Sequence, residues 1–169
     1  MVMALRHIGT CAVAFVLASC AGDNPENVPL YGEWQLVTKV DEFSVDGMSL
    51  PESNWPRQFH DLGKTETICG EPYFLEPKWQ EFDIFRNASV ECEFDRYDVT
   101  PQKVTARGVC PDAIPAANFS PKLSVDVSQN PERYRLFITM AGTATLPSGN
   151  GDRYLEVTAV QTGTRLGEC

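Results

Sequence analysis

Residues 122–140 read Lys122-Leu123-Ser124-Val125-Asp126-Val127-Ser128, then Gln129-Asn130-Pro131-Glu132, then Arg133-Tyr134-Arg135-Leu136-Phe137-Ile138-Thr139-Met140. Leu123, Val125 and Val127 alternate with Lys122, Ser124, Asp126 and Ser128, the period of two that marks a half-buried strand. Tyr134, Leu136, Ile138 and Met140 repeat it beyond a turn-forming tetrapeptide. With residues 129–132 as the loop, Val127 faces Tyr134, Val125 faces Leu136 and Asp126 faces Arg135. Apolar pairs then share one face and an opposite-charge pair the other, each contributing about 0.2–1 kcal/mol. A slip of one residue would bury the charges. The stretch is an antiparallel hairpin, and it sets the fold class.

The same alternation recurs on both sides. Trp34, Leu36 and Val40 oppose Glu33, Gln35 and Lys39; Val90, Cys92 and Phe94 oppose Glu91, Glu93 and Asp95; Leu155, Val157 and Ala159 close the series. A three-residue loop, Thr100-Pro101-Gln102, makes another hairpin that sets Cys92 against Cys110, Phe94 against Gly108 and Asp95 against Arg107. Residues 146–152 read as a third turn; their Asn and Asp lack the longer carboxylate pattern of a calcium loop. Residues 77–88 suit a short helix, with Pro77 near its start and Trp79, Phe82 and Phe85 three apart, although Phe82 and Ile84 also suit a strand. The expectation is a mainly β domain: an antiparallel meander of about eight strands, curled into a barrel or sandwich, with one short helix.

The N-terminus says where such a domain works. Met1 to Ser19 carries Arg6, no acidic residue and an apolar run of about ten residues, too short to span a bilayer. The stretch Val16-Leu17-Ala18-Ser19-Cys20 resembles the lipobox of bacterial lipoproteins. The resemblance implies that residues 1–19 are a signal peptide and that Cys20 becomes an acylated N-terminus. Two or more acyl chains hold a protein stably on a membrane, each buried methylene contributing roughly 0.8 kcal/mol. Ala21 is not the aspartate that retains many lipoproteins at the inner membrane, so the implied address is the outer membrane, facing the periplasm. The alternative is ordinary cleavage after Ala21, giving a soluble periplasmic protein. Residues 20–29 are polar and rich in helix breakers; as a flexible tether their last nine span about 15–18 Å.

The folded body then covers residues 30–169, enough for one domain with a core. A hydrophobic content of 43% with 22% charged residues excludes a disordered chain. The net charge of −9 becomes −10 when Arg6 leaves with the leader. It argues against nucleic acid and against direct binding to anionic lipid surfaces, and is compatible with a cationic partner. Apart from Cys11 and Cys20, four cysteines remain: Cys69, Cys92, Cys110 and Cys169. In an exported domain they read as two disulfides, with three connectivities possible. No C-x-x-C spacing favours a metal. The hairpin register selects Cys92–Cys110, which leaves Cys69–Cys169.

The ordered motifs resemble the bacterial domain of unknown function 3617 family. They are Tyr31-Gly32-Glu33-Trp34-Gln35-Leu36, Thr67-Ile68-Cys69, the cysteines Cys92 and Cys110 on neighbouring strands, and the ending Gly163-Thr164-Arg165-Leu166-Gly167-Glu168-Cys169. The resemblance implies an exported, mostly β domain without an assigned activity. The chain departs from the family's pattern in a longer stretch at 46–64 and in its lipobox.

Chemistry-bearing motifs are few. His60 is the one histidine of the mature chain, so a hydrolase would have to centre on it. No G-x-S-x-G, H-E-x-x-H, P-loop or dinucleotide-binding glycine pattern occurs. His60 and Asp61 with Glu66 lack metal-ligand spacing, and Glu91 and Glu93 alternate as a solvated strand face does. The expectation is no catalytic residue, no metal and no cofactor. Residues 46–64 form the one long connection without a clear period, and such connections are functional or disordered. Met48, Leu50, Trp55, Phe59 and His60 argue against disorder. They either cap an open end of the sheet or form a contact surface, with Trp55, Phe59 and His60 as the candidate binding loop and Trp55 as its anchor. The expected role is a non-catalytic binding or structural module of the envelope. The rival readings are an inhibitor of a cationic protein such as lysozyme and a hydrolase at His60.

Overall fold

The structure, a computed structural model, describes residues 26–60, 62–76, 92–114, 117–145 and 151–169. Its strands are β1 Gly32–Val45, β2 Met48–Ser49, β3 Lys64–Gly70, β4 Glu93–Val99, β5 Lys103–Val109, β6 Lys122–Asn130, β7 Arg133–Thr145 and β8 Asp152–Gly167. All pair antiparallel in one sheet of order β2-β1-β8-β7-β6-β5-β4, and β3 joins the outer edge of β1. Among the described residues β3 and β4, the far edges, do not pair. Over these residues the sheet is therefore not closed into a barrel, an arrangement consistent with a sandwich. Residues 71–76 bridge the gap: the Tyr97 hydroxyl on β4 donates to the carbonyl of Phe74 at 2.6 Å.

Inward-facing residues form two apolar clusters. One joins Trp34, Leu36, Phe74, Val104, Val125, Leu136 and Ile138; the other joins Phe43, Phe59, Leu62, Phe119, Ala144, Leu155 and Val157. Each buried side chain of this size contributes about 1.5–3 kcal/mol relative to exposure. A buried polar chain adjoins the first cluster through Tyr134. Tyr134 Oη donates to Gln161 Oε1 at 2.7 Å, and Gln161 Nε2 donates to Thr38 Oγ1 at 3.0 Å. Burial, and then the nearby Glu66 carboxylate, push the Tyr134 phenol well above its ordinary pKa.

Strand faces follow the alternation except where a bulge intervenes. On β1, Trp34, Leu36 and Thr38 point inward, but Phe43 is also buried. Val40 faces Ala159 and Glu42 faces Thr158, so Asp41 is an extra residue. This β-bulge reverses the phase of the strand.

Both expected registers need correction near their turns. In the β6–β7 hairpin Val127 faces Leu136, Val125 faces Ile138 and Asp126 faces Phe137. The loop has two residues, Pro131 and Glu132, because Asn130 Oδ1 accepts the amides of Glu132 and Arg133 at 3.0 and 2.8 Å. The pairing is displaced by two, an even number, and every side chain keeps its face. In the β4–β5 hairpin Thr100 and Lys103 exchange backbone bonds, which leaves Pro101 and Gln102 as the loop. Arg107 accordingly faces Arg96 instead of Asp95, and a bulge at Asp95 restores Phe94 opposite Gly108 and Glu93 opposite Val109. The two departures cancel at the cysteines: Cys92 and Cys110 are bridged, and Cys69 is bridged to Cys169.

Among the described residues the one α-helix is the short Arg57–His60, preceded by a 3-10 turn at Glu52–Asn54. The expected helix at 77–88 and the tip of the turn at 146–152 lie outside the described residues. The body also starts earlier than residue 30. Asn27 and Pro29 are buried, and Asn27 Nδ2 donates to the carbonyl of Pro72 at 2.8 Å. The last part of the expected tether is thus packed against the segment that follows β3.

Candidate functional site

The 46–64 connection has more local order than its composition suggests. Asp46 and Gly47 adopt φ of 51° and 76°, and Val45 pairs with Met48 across them. Both left-handed conformations are what a type I′ two-residue hairpin turn requires, and Asp-Gly is among its preferred sequences. That dipeptide is the signal that could have revealed β2. The Asp46 carboxylate ties the turn to the start of β8, accepting the Tyr154 amide at 2.9 Å and the Arg153 guanidinium at 2.8 Å. The Tyr154 amide first, and then Arg153, hold this carboxyl below its usual range against an opposing desolvation.

The structure divides the Trp55, Phe59 and His60 trio. Phe59 is buried, its ring 5.4 Å from that of Phe43. It packs in the second cluster, as an end cap would. Trp55 is half-buried and donates its indole N–H to the Leu50 carbonyl at 2.9 Å. His60 is exposed, its ring centred 6.1 Å from that of Trp55. With Lys39, Val40, Glu52 and Gly63, the trio lines a cleft of about 240 Å³. His60 Nδ1 lies 3.9 Å from Glu52 Oε1, a loose contact at the limit of an ion pair. The cleft offers an aromatic wall, an imidazole, one carboxylate and one ammonium. That set can hold a small polar ligand against an indole face. Among the described residues no group of three His, Cys, Asp or Glu side chains could hold a metal ion.

Sequence reasoning missed a larger cleft on the outer face of the sheet. Arg133 and Arg135, two apart on β7, line a depression of about 390 Å³ with Gln102, Ser128, Asn130 and Thr162–Thr164. A second depression of about 380 Å³, on the far side of Arg135, adds Lys103, Asp126 and Phe137. The sequence signal was the Arg-Tyr-Arg triplet, which reads only as a solvated strand face until its neighbours are known. Compared with known proteins, the chain matches no family model, no curated protein and no solved structure.

Proposed function

We infer that this chain is an exported lipoprotein, anchored through Cys20 to the outer membrane and facing the periplasm. Its folded body serves as a non-catalytic binding or structural module. The observation that carries this reading is the pair of disulfides, Cys69–Cys169 and Cys92–Cys110. Such cross-links persist in oxidising compartments and are rare in the cytosol. The likeness of residues 16–20 to a lipobox, and of the ordered body motifs to the domain of unknown function 3617 family, supports the same address. For binding, the cleft beside Trp55 and His60 supplies a half-buried aromatic anchor with polar groups converging on it.

Intact mass and peptide mapping of the native protein test the address directly. The expected result is loss of residues 1–19, acyl mass on Cys20 and both cross-links in place. Recovery of Met1 with a free Cys20 thiol would overturn it. Binding at the cleft is tested by Trp55→Ala in a pulldown from solubilised envelope. The variant should release whatever the native protein retains, and unchanged capture would remove the cleft from consideration.

A further inference from the structure

Arg133 and Arg135 point outward from the same face of β7, and both are exposed. Neither makes an ion pair with any described residue, as is also true of the isolated Lys39, Arg57 and Lys122, whereas Lys64, Arg96, Lys103, Arg107, Arg153 and Arg165 are each held by a carboxylate. In a chain of net charge −9, counter-charges are plentiful, yet these two adjacent guanidiniums have none. The register sets Arg135 between Ser128 and Thr162, and Arg133 between Asn130 and Thr164. Each planar donor fork is therefore flanked by a side-chain hydroxyl or amide. Paired forks beside hydroxyls match the oxygens of a phosphate, to which arginine binds with two parallel bonds. Across the two depressions, Lys103, Arg133 and Arg135 are opposed by Asp126 alone. Asp126 is already engaged by Lys103 at 3.3 Å and Arg107 at 3.4 Å. Glu132, in the adjoining turn, is a further acid beside the cleft in sequence.

The path of the N-terminal segment orients this cleft. The Leu30 amide donates to the Pro131 carbonyl at 3.0 Å, within the turn that leads into Arg133. Asn27, held to the Pro72 carbonyl, lies seven positions after Cys20, a span of at most about 25 Å when extended. An acyl anchor at Cys20 would keep the β6–β7 turn, and the cleft beside it, close to the headgroup layer.

We propose that the Arg133–Arg135 cleft binds the phosphate of net-anionic lipid headgroups at the surface to which the chain is tethered. The proposal rests on the anchored reading above. Net charge obscures it, because the field a headgroup meets at short range is local and is screened within about 8–10 Å at physiological salt. Residues 20–169 with Cys20→Ser retain every described residue and carry no acyl chain, so they isolate this contact. Flotation with phosphatidylglycerol vesicles should recover this protein, phosphatidylcholine vesicles should not, and added salt should weaken recovery. Arg133→Gln with Arg135→Gln should reduce partitioning about thirtyfold, as two surface arginines would. Arg57→Gln with Lys122→Gln removes equal charge elsewhere and should leave partitioning intact.

Equal recovery on both vesicle types, or unchanged binding by the double arginine variant, would overturn the proposal. So would saturable binding of inorganic phosphate without vesicle binding, which would make the free ion the ligand. Failure of the anchor shows separately, in the mass of the Cys20 peptide.

Discussion

Gln161 is fully buried and brings both a donor and an acceptor into the interior beside Tyr134 of the first apolar cluster. Its oxygen takes the Tyr134 hydroxyl and its nitrogen gives to Thr38, so the amide of one strand orders side chains on two others. A buried group left without its partner costs about 1–3 kcal/mol. Gln161→Leu is therefore expected to lower unfolding stability by at least that amount in urea, despite adding apolar volume. A neutral or stabilising result would show the chain to be dispensable. Asp46 matters in a different way, since the fold favours its charged form. Its contribution is present above the ordinary carboxyl value of 3.8 and is lost as pH falls through the lower folded value. Asp46→Asn keeps a residue that tolerates the left-handed turn. The variant should flatten the stability profile below about pH 4, as followed by fluorescence, and an unaltered acid limb would contradict the assignment.

Strands here are regular where side chains alternate and irregular where the chain needs to change phase. The bulge at Asp41 turns Phe43 inward, where it meets Phe59 from the long connection. Without that extra residue, simple alternation would direct Phe43 to solvent and leave the second cluster without its centre. On β8 the close approach of an aromatic ring fixes the residue type. A β-carbon built at Gly163 would lie 2.0 Å from the Tyr134 ring, far inside van der Waals contact. Gly163→Ala should displace that ring and cost about 1–3 kcal/mol, seen as a lower denaturation midpoint and a changed tyrosine signal. Hairpin registers show what local pattern can and cannot settle. Which residues faced inward on β6 and β7 was legible, because a displacement of two leaves faces unchanged. The opposing partners were not, because they depend on turn geometry: the Asn130 side chain caps the turn in one hairpin and a two-residue turn is offset by a bulge in the other.

Across the whole molecule, the sheet has its two outer described strands secured by covalent and polar ties. Cys69–Cys169 pins β3, at one edge, to the chain end that follows β8. Cys92–Cys110 joins the residues flanking β4 and β5 at the other. The sequence separations are 100 and 18. In the chain-entropy model the longer loop stabilises by about 1.5 kcal/mol more than the shorter. Replacing Cys69 and Cys169 by Ala should therefore lower the guanidinium midpoint further than replacing Cys92 and Cys110 by Ala. The reverse order would indicate that packing around the fully buried Cys110 outweighs loop entropy.

Alternation, cysteine parity and the leader-like N-terminal stretch are local properties of the chain, and they determined the antiparallel β class, the two cross-links and the expected address. Each residue's face follows from its neighbours in sequence, which is why Trp34, Leu123 and Leu136 could be assigned to the interior from sequence. Only the tertiary structure decided that the sheet is not closed over the described residues, that Phe59 is core while Trp55 and His60 form a rim, and that Arg133 and Arg135 have no carboxylate partner among those residues. Those facts depend on which distant strands meet: Lys39 with His60 in one cleft, Gln102 with Thr164 in the other. Packing and turn geometry set such meetings, and no single stretch of the sequence encodes them.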